Sequence, residues 1–263
     1  QLDPFSDAQA RSILEDALGR PIDTVFSEFG APVSAASVAQ VHFGRLQTGE
    51  DVAVKILRPG IEKRFDRELR FLQWGARWAQ RVVPDLRRAQ PVGLIEVLRQ
   101  QTAMELDLRM EAAAGDQMAR NFKERGGLST PTPFWDLTSQ RVLVMSRIYG
   151  INIDERDKLR AAGHDLAQVL TNAATCFFQA VFEDGFFHGH KHAGNMLLEA
   201  RGDVVFVDCG IQKLVISGWA GLAGLGWLGW LGWAGLAGRA GGGGPGGAGG
   251  GGGGGREAKE GTQ

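Results

Sequence analysis

Cysteine is scarce in this chain: Cys176 and Cys209 are all it has, far apart in sequence. Two such residues make no disulfide framework. That argues against a small secreted scaffold and suits a reducing compartment, the cytoplasm. Net charge is almost absent as well, −1 over 263 residues, so no broad basic field points to nucleic acid. The opening stretch "QLDPFSDAQARS" has no basic region followed by an apolar one, and no signal peptide is expected. It also lacks an initiator methionine, so the chain is expected to be a fragment. Apolar side chains, by contrast, are plentiful: the hydrophobic fraction is 43%, enough for a sizeable core.

Glycine is distributed unevenly. Between Gly241 and Gly255 every residue except Pro245 and Ala248 is glycine, a composition that buries no side chain. Before it runs "SGWAGLAGLGWLGWLGWAGLAG", Ser217 to Gly238, without a single charge. As a helix this stretch would reach roughly 33 Å at about 1.5 Å per residue, the thickness of a bilayer core. Eight of its residues are glycine, however, and its words repeat; each glycine costs ~1 kcal/mol in an exposed helix. A low-complexity end is therefore expected rather than an anchor. The expected organisation is an N-terminal helical segment over 1–30, an N-lobe with inserted long helices over 31–150, a partial C-lobe over 151–216 and a biased, disordered tail over 217–263.

Local patterns fill in the globular part. Ser6 precedes "DAQARSILEDAL", and Gly19 and Pro21 follow it, which predicts a capped helix. "VAQVHFGRL", the turn "QTGE" and "DVAVKIL" predict an antiparallel hairpin with Lys55 in its second strand. Helical patterns cover Ile61 to Val82 and then Val92 to Arg125, before the pair Gly126-Gly127. "RVLVMSRI" predicts a strand, with Gly150 after it as a candidate hinge. "DLAQVLTNAATCFFQAVFEDG" predicts a helix ending at Gly185, and "NMLLEARGDVVFVDCG" predicts strand, turn and strand. The order of elements predicts an α+β, two-lobed body rather than a doubly wound sheet.

Four polar residues stand at the ends or faces of these elements. Lys55 sits in an otherwise apolar strand and needs an anionic partner to be buried there. Glu111, on the long helical pattern, is the candidate partner. Asn195 follows a histidine-rich loop, and Asp208 ends the strand "VVFVD" just before Cys209-Gly210. A strand lysine, helix glutamate, loop asparagine and strand-end Asp-x-Gly, in that order, fit phosphoryl transfer of the protein-kinase type. Phosphates need a positive point charge, and magnesium prefers hard oxygen ligands, here Asn195 and Asp208. More ordinary roles compete. Glu105 and Glu111 read equally as solvated helix charges, His42 as a hydrogen-bonded strand histidine, and Cys209 as a small core filler. Trp74 and Trp78, four apart on a helix, are expected to serve packing.

The hairpin is more specific. Where a common kinase carries a glycine-rich loop, this chain has "SAASVAQVH", Ser34 to His42, followed by "GEDVAVKILRPGI". Together with "ELDLRMEAAAGDQMARNF", "PTPFWDLTSQRVLVMSRIYG" and "VFVDCGI", it resembles the UbiB (AarF-domain) atypical kinases over about Asp3 to Leu214. The resemblance implies a protein-kinase-like fold, truncated at both ends, that binds ATP and Mg²⁺ and works as an ATPase or unorthodox kinase. It further implies ubiquinone or isoprenoid-lipid metabolism, with membranes or lipid-biosynthesis proteins as partners and a peripheral or anchored membrane position. By the same resemblance Lys55 holds the nucleotide phosphates and pairs with Glu111. Ala35, Ala36 and Ser37 lie over the nucleotide, and Asn195 and Asp208 hold Mg²⁺. Glu105 and Asp107 match an E-x-D pair that meets an N-terminal K-x-G-Q segment in the family. That segment is missing from this sequence, so the two acids are expected to have no evident partner.

The loop "FFHGHKHAGN", Phe186 to Asn195, is similar to the family pattern F-F-H-A-D-x-H-P-G-N with one main departure. His190 stands where the family has its catalytic aspartate. An imidazole accepts a proton near neutral pH, but it is larger and, as a cation, poorly suited beside Mg²⁺. ATP binding with weakened transfer is the expectation, and a non-catalytic, nucleotide-binding pseudokinase is the alternative. A chance substitution in a decaying gene copy is the plainest account of His190. His188, His190 and His192 also alternate, so an extended segment would turn all three to one side, as a zinc site requires. Two of the three belong to the family pattern, though, and no cysteine or carboxylate lies close in sequence. The H-G-x-x-H-x-x-N spacing is also similar to aminoglycoside- and choline-kinase-like phosphotransferases, which lack the A-S-x-A-Q-V-H hairpin.

Overall fold

A computed structural model describes residues 3–83, 88–184 and 196–207 of the chain. It opens with α1 (Asp7–Leu18), whose start is fixed as the sequence predicts. The Ser6 hydroxyl accepts from the Gln9 backbone N–H and the Gln9 side chain returns to Ser6, a capping box, while Gly19 closes the end at φ 64°. Two sheets follow. The first is antiparallel and runs in the order β1 (Phe26–Ala35), β2 (Ala39–Leu46), β3 (Asp51–Leu57), β5 (Val142–Ser146). The second runs β4 (Leu128–Ser129), β8 (Val204–Phe206), β7 (Met196–Leu198), β6 (Ile151–Asn152), with β4 and β8 parallel.

Helices α2 (Ile61–Val82), α3 (Pro91–Glu105) and α4 (Leu108–Phe122) lie between β3 and β4 in sequence, and α5 (Arg156–Ala161) and α6 (Leu166–Phe182) between β6 and β7. The described architecture is thus α+β, as the order of elements predicts, and kinase-like, as the resemblance implies. Among the described residues no helix is long and apolar enough to cross a membrane.

The alternation of β3 organises the first sheet. Val52, Val54 and Ile56, with Val142 and Val144 of β5, pack against Ala10, Ile13 and Leu14 of α1. Ala53 and Leu57, with Leu143 and Met145, pack on the opposite face against Leu108 and Ala112 of α4. Period two places Lys55 on that second face. Further along α4, Ala114, Met118 and Phe122 join a separate core with β7, β8 and α6, so one helix serves both cores. Phe122 is 1% exposed there, a burial that contributes about 2 kcal/mol.

Three features depart from the sequence reading. The pattern from Val92 to Arg125 is two helices, because the chain breaks at Leu106–Asp107 and Asp107 caps α4 through its carboxylate. Strand β1 was not anticipated; Gly30 and Pro32 interrupt its alternation, and its pairing with β2 shifts register three times. Trp74 and Trp78, expected to pack, are 64% and 57% exposed.

Gly150 sits where two backbones meet closely. A Cβ there would lie 2.8 Å from the Leu198 carbonyl oxygen and 3.1 Å from Leu197 Cβ. Gly150→Ala is expected to push β6 off β7 and lower the melting temperature by several degrees, roughly 1–3 kcal/mol, read by thermal denaturation.

Candidate functional site

Lys55 and Glu111 meet across the space between β3 and α4. Leu108, Glu111, Ala112 and Gly115 follow one another at three, one and three residues, so they share one face of α4. Leu108 and Ala112 seat that face on the sheet, which brings Glu111 under Lys55. Lys55 Nζ donates to both carboxylate oxygens of Glu111, at 2.7 and 2.8 Å. The side chains are 16% and 11% exposed. The pair is therefore largely withdrawn from water yet reachable from one side. Glu111 also lines a small pocket together with Pro133, Leu143, Met145 and Val207. Val207 immediately precedes Asp208 in sequence.

The turn between β1 and β2 carries Ala35, Ala36 and Ser37. Ala35 ends β1 opposite Gln40, and the Ala36 N–H donates to the Ala39 carbonyl at 2.9 Å. Arg58 fixes this turn from outside. Its Nε donates to the Ala36 carbonyl at 2.8 Å and its Nη2 to the Asp3 carbonyl at 2.9 Å, with the guanidinium 6.0 Å from the Phe5 ring centre. The sequence alone gives Arg58 no role beyond its place in "GEDVAVKILRPGI". Its place three residues after Lys55 was the available signal: it ties the strand lysine's hairpin to the turn between β1 and β2.

Gln40 and His42 face away from Lys55, toward the N-terminus, and both are fully buried. Gln40 Oε1 accepts from the Phe5 N–H at 3.0 Å, which leaves its amide to donate to His42 Nε2 at 2.8 Å. His42 Nδ1–H then donates to the Gly30 carbonyl at 2.9 Å, and the ring stacks on Phe29 at 4.6 Å. Burial pushes the imidazole pKa down, against the Gly30 hydrogen bond and the nearby Asp7, which raise it, while Arg11 adds to the lowering. His42 is accordingly a neutral structural histidine, the more ordinary of its two readings.

Asp107 has a partner, contrary to expectation. Arg109 donates to it through Nε and Nη2, at 2.9 and 2.7 Å. That contact holds the Asp107 carboxyl below its usual range against the opposing effect of burial. Glu105 is exposed at the end of α3. His188, His190, His192, Asn195, Asp208 and Cys209 lie outside the described residues, and among the described residues no cluster of metal-ligating side chains occurs. Arg125 bonds Glu183 and Asp184 at 3.1 and 2.6 Å, so the end of α6, where the chain leads toward the histidine-rich segment, is fastened to the end of α4.

The chain resembles known proteins as a whole. The chain is similar to a solved structure described as Rv3197 in complex with erythromycin, from Mycobacterium tuberculosis. The two are 27% identical with a TM-score of 0.61, over 80% of this chain and 53% of that one. The chain thus spans about half the length of that neighbour. The pattern of the ABC1 atypical kinase-like domain matches residues 1–216. With its lysine–glutamate pair, its alanine-rich turn and most of its length covered by that pattern, the chain belongs to the ABC1 atypical kinase-like family.

Proposed function

We propose that the chain is a Mg-ATP-binding kinase or ATPase domain of the UbiB type, serving ubiquinone or other isoprenoid-lipid metabolism. The observation that carries this reading is the Lys55–Glu111 pair, whose Glu111 lines a small pocket. A lysine oriented by a carboxylate, with part of its surface open, is a prepared site for an anion. In this reading Lys55 would meet the phosphates of ATP, the Ala35–Ser37 turn would cover them, and Leu143 and Met145 would offer an apolar wall to the base. Asn195 and Asp208 have the hard oxygen donors that magnesium takes. Bound Mg²⁺ would neutralise phosphate charge during transfer. Lys55 orients the phosphates, Glu111 orients Lys55, and His190 is the group positioned by sequence to accept the proton of an attacking hydroxyl.

His190 also favours a second reading, a nucleotide-binding pseudokinase that docks to a partner without turnover. Thermal unfolding with and without Mg-ATP tests the first step. Mg-ATP at about a hundredfold excess over Kd is expected to add about 2.7 kcal/mol of stability to the wild-type chain and none to Lys55→Ala. Equal responses from both proteins would remove the proposal. Phosphate release that appears only in His190→Asp would select the pseudokinase reading.

A further inference from the structure

The register of the first sheet sorts its Lys55 face into three cross-strand rows. Strands β2 and β3 pair Val41 with Lys55, Phe43 with Ala53 and Arg45 with Asp51. Strands β3 and β5 pair Lys55 with Leu143 and Ala53 with Met145. The Arg147 N–H extends that ladder by donating to the Asp51 carbonyl at 3.0 Å. Period two puts all three rows on one face, about 7 Å apart. The first row carries the Lys55 cation. The second, Phe43–Ala53–Met145, is apolar and packs in the same core as Leu143. The third, Arg45–Asp51–Arg147, is charged.

Two of those charges satisfy each other. Arg45 Nε donates to Asp51 Oδ1 at 2.9 Å, and the Tyr149 hydroxyl donates to Asp51 Oδ2 at 2.8 Å. These contacts, Arg45 first, hold the Asp51 carboxyl below its usual range. Arg147 stands apart. Its guanidinium lies 3.9 Å from the Phe43 ring centre and 4.8 Å from that of Tyr149, so it leans from its own row over the apolar one. Among the described residues no side-chain hydrogen bond or ion pair engages it, and the residue is half-buried. Aromatic rings hold a guanidinium by its face and leave the N–H groups at its edge to a ligand. Arginine has donors and no acceptor, so the group it takes must present acceptors.

A nucleotide whose phosphates met Lys55 would lie along this face with its base on the apolar row, and the outer edge of the base would meet Arg147. The two purines differ at that edge. Guanine presents O6 and N7, two neighbouring acceptors that match the guanidinium fork, whereas adenine presents its N6 amino group, a donor, beside N7. We infer that Arg147 is the base-reading residue of the site. It gives the site a preference for guanine nucleotides over adenine ones, its guanidinium donating to O6 and N7. The inference rests on the nucleotide reading of the Lys55 face and adds the identity of the base.

The test is calorimetric titration of the full chain with Mg-ATP, Mg-GTP and Mg-ITP. The hypoxanthine of ITP keeps O6 and N7 and lacks the 2-amino group of guanine. Mg-GTP and Mg-ITP are therefore both expected to bind about tenfold or more tighter than Mg-ATP, the discrimination of one bidentate contact. Arg147→Leu should remove that advantage. Arg147→Lys should remove it too, since a point charge does not reproduce the fork. An Arg147 that only braces the two rings would shift all three affinities together, or the melting temperature alone, and leave their ratio unchanged; that result would overturn the inference. So would a wild-type chain that prefers Mg-ATP, or Mg-ITP that follows Mg-ATP rather than Mg-GTP. Lys55→Ala should lose all three nucleotides, and guanine binding that survives it would place the contact off this face and overturn the inference as well. The kinase reading is scored separately: it stands if Mg-ATP binds through Lys55 whatever the ratio, whereas a wild-type chain that binds no nucleotide removes both.

Discussion

Lys55→Met is expected to lower the melting temperature by roughly 6–12 °C and to abolish stabilisation by Mg-ATP. The first effect comes from Glu111. Its carboxylate is 11% exposed and takes two hydrogen bonds from Lys55 Nζ. Without the lysine, a largely buried charge loses its counter-ion, which costs about 3 kcal/mol, and a domain of this size loses about 2–4 °C per kcal/mol. The second effect comes from the phosphates. A double variant, Lys55→Met with Glu111→Leu, tells the two apart. An apolar pair of similar volume removes the stranded charge, so most of the lost melting temperature should return. Mg-ATP stabilisation should not return with it. If the double variant regains both, the pair is only a strut of the fold. If Lys55→Met costs nothing in stability, the ion pair is not formed in solution.

Acidification from about pH 7.5 to about pH 5.5 is expected to weaken the chain through His42. The unfolded imidazole titrates near 6.5, while burial holds the folded one below that value. Between the two pKa values the unfolded state binds a proton that the folded state refuses. Stability is thus fully present above about pH 6.5 and declines as pH falls below it. The hydrogen bonds give the reason. A protonated ring would turn a second N–H toward the Gln40 amide, which already donates to it. Gln40 could turn its oxygen to the ring only by giving up the Phe5 N–H. His42→Asn should lower the melting temperature at neutral pH, since it leaves the Gln40 amide without an acceptor and a gap beside Phe29, roughly 2–4 kcal/mol. It should also flatten the pH dependence in this window. The two proteins are otherwise identical, so the difference between the two curves isolates His42. Parallel curves would show that the ring is already charged in the folded chain.

The Lys55–Glu111 pair was legible because burial and chemistry agree there. "DVAVKIL" is a short apolar run interrupted only by Lys55 and bounded by a turn, so its strand and its hairpin follow from the residues. Glu111 could be chosen as partner because a buried lysine demands an anion. The break at Asp107 was harder to read, since "AMELDLRM" keeps a helical pattern through the junction and only the cap shows where one helix stops. Strand β1 was hidden by Gly30 and Pro32, whose bulged pairing depends on β2 rather than on local pattern. The exposure of Trp74 and Trp78 was misjudged for a related reason. Spacing shows that residues share a face, but not whether anything lies opposite that face. The linked roles of Gln40, His42 and Arg58 needed three dimensions, because their partners are Phe5, Gly30 and Ala36 and the bonds run from side chain to backbone.

The two ends of the α2–α3 hairpin are held at neighbouring points. Where β3 finishes, the Leu57 N–H donates to the Arg141 carbonyl, and where α4 begins, the Leu108 N–H donates to the Gln140 carbonyl. The chain therefore leaves and re-enters the body through a single doorway. Insertions at such a point cost little beyond closing their own loop, a cost that grows only slowly with length. The hairpin is in this sense a graft with a rooted base: Ile61 and Phe65 pack into the core with Leu57, Leu108 and Leu143 and Glu62 pairs with Arg141, so a change of length beyond that first turn should leave the Lys55–Glu111 pair in place.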